Sequence, residues 1–283
     1  MTVPGTSRAI WTMSMIETIW AIRTTRVGSM EQVDEVTRYE RAVAEREREL
    51  GPDHPDTLTG RSALAGVYES AGRYDEAIAL YERTLADRER VLGPDDPATL
   101  TTCNNLAYTY ESAERPEAAI DLYERVVSAR ERVLGPNDPA TLMSRHNLAH
   151  AYETARRLHE AITSYEQALA DREQALGADH PDTLTSRNNL AYAYQAVGRV
   201  DEAIEQYELT LIGAERSLGP DHANTLTCRN NLAGAFESAN RLDDAIEMYS
   251  RLTTDAERAL GPDHPTTQVA RDNLANALVR RES

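Results

Sequence analysis

A chain of 283 residues with 30 basic against 47 acidic side chains, a net charge of -17, lacks the basic field on which non-specific nucleic-acid binding depends. Hydrophobic residues make up 41% of it and no stretch is poor enough in them to stay disordered, yet none is apolar for long enough to span a bilayer. Every cation is an arginine, since the chain contains no lysine.

Near the N-terminus, Arg8 followed by AIWTMSMIETIWAI loosely imitates a secretory leader. Glu17 and scattered Thr and Ser interrupt it, and no small-residue cleavage pattern follows, so the chain is read as cytoplasmic. Ile19, Trp20 and Ile22 predict a degenerate first helix over residues 15–29. Val36, Tyr39 and Val43 stand in register for a second helix over 34–50, giving an N-terminal capping pair over residues 1–50.

From there Leu-Gly recurs every 42 residues, at Gly51, Gly93, Gly135, Gly177, Gly219 and Gly261, usually followed by Pro-Asp and then His-Pro or Asp-Pro. A period of this size means one supersecondary unit stacked on copies of itself, because a single unit cannot bury its own apolar face. Residues 51–265 are read as five 42-residue repeats, with helix pairs opening near residues 56, 98, 140, 182 and 224. Residues 266–283 then supply a C-terminal capping helix with no second member, in which Leu274 and Leu278 are left partly exposed for self-association.

The unit at 182–218 shows the local logic. Leu184, Leu190, Ala191 and Tyr194 recur at helical spacing as an apolar stripe, while Asn188, Asn189, Tyr192 and Gln195 project from the adjacent face. Gly198 ends that helix. Asp201 and Glu202 open the next one at the positive end of its dipole, and Ala203, Ile204, Tyr207 and Leu211 form its stripe. At each joint the glycine stops one helix and the second proline suits the first position of the next, with Asp96 and Asp138 placed as N-caps. His54, His180, His222 and His264 each sit in their own joint without a second ligand nearby, which reads as structural and not as metal binding. Cys103 and Cys228 lie three repeats apart, beyond disulfide reach, and suit a reducing compartment.

Leu190, Ala191 and Tyr194 followed by Ala203 and Tyr207 fall at the spacing of the tetratricopeptide repeat signature, which this chain resembles over about residues 34 to 280. The 42-residue length, the LGPDHP joint and the NNLA core at 104–107, 188–191 and 230–233 resemble the kinesin-light-chain subtype, whose second helix is lengthened. That resemblance implies an all-α fold, a right-handed superhelical solenoid of antiparallel helix pairs.

No phosphate loop, dinucleotide-binding turn, zincin motif or nucleophile elbow occurs, so neither catalysis nor a cofactor is expected. What repeats instead is a set of polar rungs on the first helices. Counting from Leu190 and its equivalents, the position two before carries Ser62, Asn104, His146, Asn188, Asn230 and Asp272, and the next Ala63, Asn105, Asn147, Asn189, Asn231 and Asn273. With Tyr108, His150 and Tyr192, these are the positions that line the concave groove in the resembled family. Asparagines offer donors and acceptors and suit the backbone of an extended peptide, or else they bond a neighbouring helix and fix repeat stacking.

A basic ladder, Arg61, Arg145, Arg187, Arg229 and Arg271, precedes the asparagines by one residue and is broken by Cys103. Its guanidiniums either reach neighbouring glutamates or make the groove basic, suiting the acidic peptide that the kinesin-light-chain resemblance suggests. An opposing rung of Glu69, Glu111, Glu153, Gln195 and Glu237 would prefer a cation, which leaves the sign of the ligand open. The expected function is a non-catalytic scaffold that holds a peptide or protein segment in its groove. The alternatives are a sensor partner of a signalling NTPase or transcription regulator, and a self-assembling structural element.

Overall fold

The joint between repeats is built on backbone that only glycine enters readily. Gly135 has φ 92° and ψ 164°, a region closed to side chains, and φ close to +90° recurs at the other five joints. A helix cannot continue through such a residue. In the computed structural model, which describes residues 28–282, the next helix restarts four residues later, because His or Asp caps it and, at most joints, Pro occupies its first turn.

Twelve helices and no strands are found among the described residues. They are α1 (Gly28–Leu50), α2 (Pro55–Ser70), α3 (Tyr74–Val91), α4 (Pro97–Ser112), α5 (Pro116–Leu134) and α6 (Pro139–Thr154), followed by α7 (Leu158–Leu176), α8 (Pro181–Ala196), α9 (Val200–Leu218), α10 (Ala223–Ser238), α11 (Leu242–Leu260) and α12 (Pro265–Glu282). They divide into two compact units at Ser164/Tyr165, within α7. In each unit, short turns lay consecutive helices side by side, first helix against second. The helix expected over residues 15–29 falls outside the described residues, except that Gly28 and Ser29 open α1.

The N-caps follow one pattern with two chemistries. Asp96 and Asp138 each accept from the backbone N–H two residues on, at 2.8 Å. His54, His180, His222 and His264 do the same through Nδ1 at 3.1 to 3.2 Å. The joint histidines are therefore helix caps, satisfying one of the orphan donors that every helix start leaves.

Between first and second helices the chain passes through a left-handed residue. Gly72 and Gly198 take it without strain, but Glu114 at φ 60° and Arg156 at φ 62° occupy it with side chains. Replacing Glu114 with Gly is expected to raise stability by about 0.5–1 kcal/mol, read as a higher urea midpoint; an unchanged or lower midpoint contradicts this.

The core alternates small with large residues. In the unit ending at Ser164 it joins Ala65, Ile78, Tyr81, Leu85, Cys103, Leu106 and Val126, with Tyr110 and Leu122 partly covered above them. In the unit starting at Tyr165, both predicted stripes are buried, from Leu184 to Tyr194 and from Ala203 to Leu211. Tyrosine hydroxyls stitch the layers together. Tyr68 donates to Glu40 at 2.7 Å and Tyr194 to Glu166 at 2.6 Å, each glutamate lying 28 residues back on the preceding second helix. Both cysteines are free and buried, and burial pushes the Cys103 thiol up to about 11. On α12, Leu274 and Leu278 are half-buried while Val279 is 68% exposed.

Candidate functional site

The polar rungs sit on the first helices, where residues three and four apart share a face. In the unit ending at Ser164, α4 contributes Asn104, Asn105 and Tyr108, and α6 contributes His146, Asn147 and His150. Tyr108 is exposed and the other five are half-buried. The Asn147 amide donates to the Asn104 carbonyl oxygen at 3.3 Å. His150 pairs through Nδ1 with Glu111, which also accepts from Thr154 at 3.2 Å. Met143, 45% exposed and one turn before His146, belongs to the same face. Its position carries Thr in four of the other repeats and Val269 in the last, so the polarity rule that picked out the asparagines passed over it.

In the unit starting at Tyr165, the same bridge forms twice, Asn231 to Asn188 at 3.0 Å and Asn273 to Asn230 at 2.9 Å. Asn188 was expected to project from the helix, but it is only 2% exposed because Asn231 closes over it. Asn231 itself is buried, whereas Asn189, Tyr192 and Asn230 are half-buried. Gln195 reaches Ser238 at 2.8 Å, and Glu237 accepts from Arg280 at 3.1 Å. The second asparagine of a repeat thus clamps the first asparagine of the one before. An asparagine has two amide protons and two lone pairs, so Asn104 and Asn230 keep bonding capacity on their accessible side.

Much of the acidic rung is engaged inside the protein. Glu69 accepts from Thr109 at 2.9 Å, and its burial raises its pKa against the lowering effect of that bond.

The arginine ladder lies at the joints. Arg61 donates from Nε to Glu47 at 2.6 Å and from Nη1 to Asp87 at 2.7 Å, with no exposed surface of its own. Arg145 meets Glu131 at 2.9 Å, Arg229 meets Glu215 at 2.6 Å, and Arg271 meets Glu257 at 2.6 Å. Arg187 pairs with Glu173, and Arg229 also with Asp255. Each glutamate is 14 residues back, in the last turns of the preceding second helix, so these guanidiniums are committed to carboxylates. Where Cys103 interrupts the ladder, the orphaned Glu89 takes Arg125 at 2.5 Å instead.

Paired helices on a 42-residue period, small residues at their crossings and polar rungs on the first helix define a helical-repeat protein. The Tetratricopeptide repeat family profile matches residues 36–89, 61–132, 104–174, 141–211 and 182–257, and the chain belongs to that family. Within it, the chain is similar to kinesin-light-chain-like members. A crystal structure of a Podosopora anserina putative kinesin light chain with nearly identical TPR-like repeats is 30% identical, with a TM-score of 0.67, covering 73% of this chain and 98% of that one. BtubC (BKLC) from P. vanneervenii is 21% identical with a TM-score of 0.70, over 83% of this chain and 94% of that one. MamA, at 21% identity and a TM-score of 0.50, covers 69% and 95%. The last two likenesses show the fold alone. No curated protein sequence matches the chain. No helix among the described residues is long and apolar enough to cross a membrane.

Proposed function

We propose that this protein is a cytoplasmic, non-catalytic scaffold that holds a peptide or protein segment against its first helices. The observation that supports this most is the accessible strip formed by Asn104, Tyr108 and His146, polar and aromatic groups at positions where a stack needs only apolar ones, with the exposed apolar Met143 beside them. In this reading the bound segment is extended. Its backbone meets the amide of Asn104, and its side chains rest on Tyr108 and Met143. Asn188 and Asn231 hold the repeats together, and the arginine ladder serves the joints. Because the ladder's charges are neutralised by neighbouring carboxylates, recognition rests on hydrogen bonding and shape more than on net charge.

Capture from a native cell extract on the immobilised full chain tests this. The Tyr108→Ala, Met143→Ala double variant is expected to recover the wild-type prey at least about tenfold less efficiently, the loss of a modest hot spot. Equal recovery by a variant with wild-type helicity contradicts the proposal.

A further inference from the structure

The second-helix side of the unit ending at Ser164 carries a cleft that the strip above does not use. It is open, holds about 500 Å³, and runs between α3 and α5 with α4 beneath. Leu85, Leu106 and Leu122 form its floor, continuous with the core. Its walls are low because both are alanine, Ala86 on α3 and Ala118 on α5. Ala118 is the exception among the repeats, which carry Glu76, Glu160, Glu202 and Asp244 at that position. Ala118 therefore adds no carboxylate to this wall, whereas Glu76, Glu160, Glu202 and Asp244 each pair with the arginine three residues before.

The rim keeps its charge. Glu82, Glu89 and Asp121 stand against Arg125 alone, three negative groups to one positive. Two of these carboxylates are held in place, Glu82 by the Tyr110 hydroxyl at 2.5 Å and Glu89 by Arg125. An apolar trough with fixed acidic edges, in a chain of net charge -17, complements a helix with one apolar stripe and basic flanks. We infer that this cleft docks a basic amphipathic helix of a partner protein, its leucine-type anchor seated on Leu85, Leu106 and Leu122. Lysine or arginine side chains on either flank reach Glu82 and Asp121. A fully acidic or uncharged helix would leave the rim carboxylates facing apolar groups or like charge.

The probe is a short fluorescent Leu/Lys amphipathic helical peptide, with a Leu/Glu peptide of the same apolar pattern as control, titrated with the full chain at physiological salt. The Leu/Lys peptide is expected to bind at least about tenfold tighter than the control. Ala86→Phe, which fills the trough from an exposed position, and Asp121→Arg, which reverses its rim, should each weaken binding about tenfold. Tyr108→Ala, on the first-helix side, should leave it unchanged, which separates this docking from the proposed function. Absent binding, equal affinity for the two peptides, or indifference to Ala86→Phe overturns the inference. Self-association of the chain that Ala86→Phe abolishes would assign the cleft to a second copy and overturn it equally.

Discussion

Arg61→Cys is expected to cost about 3 kcal/mol, seen as a lower urea midpoint with helicity retained below the transition. Arg61 has no exposed surface and holds two carboxylates from two different helices, Glu47 of α1 and Asp87 of α3. Removing the guanidinium leaves Glu47 with only the longer contact to Arg83, at 3.9 Å, and Asp87 with Arg90, at 3.0 Å. Their side chains are 33% and 22% exposed, so they regain some hydration, which sets the cost at the low end for a broken buried pair.

The protein already contains the compensated version. In the next repeat Cys103 replaces the arginine and Ala129 stands where Asp87 does, both buried. Transplanting that pair as Arg61→Cys, Asp87→Ala is therefore expected to recover about 1 kcal/mol relative to Arg61→Cys alone. A loss below about 1 kcal/mol for Arg61→Cys would mean that the ladder is surface decoration, the usual worth of an exposed pair.

Gly135→Val should cost about 2–3 kcal/mol although nothing lies within 4 Å of where a Cβ would sit. The penalty comes from the chain's own backbone, since φ 92° with ψ 164° brings any side chain against its adjacent peptide groups. Valine is the severe case, being stiff at χ1. Urea unfolding of the variant measures it. A cost below about 0.5 kcal/mol would show that the joint can relax into another turn, and that its repetition has a cause other than conformation.

Much of the fold could be read from the sequence, because its signals are local. Glycine and proline mark helix ends, and the spacing of Leu190, Ala191 and Tyr194 marks a buried stripe, whatever lies elsewhere in the chain. The site could be read only in part, because its groups are satisfied at a distance. Asn188 and Asn189 are adjacent and identical in type, yet one is nearly sealed by Asn231, 43 residues away. No local pattern separates them. The arginine ladder was visible as a repeat, but its destination required the last turns of the preceding second helix, 14 residues back. The joint histidines cap helices as Asp96 and Asp138 do at the same position, a role that the aspartates make legible and a histidine by itself does not. The cleft on α3 and α5 is lined by Ala118, and that this position carries a carboxylate in the other repeats shows only when the repeats are laid over one another.

The most direct measurement is site-specific photocrosslinking in the native cell. A photoreactive residue is placed in turn at Tyr108, at Met143, and at the exposed Arg41 of α1 as control. A scaffold that grips its partner along the first helices gives the same adduct from positions 108 and 143 and none from 41. Adducts from 108 and 143 no stronger than from 41 would contradict it.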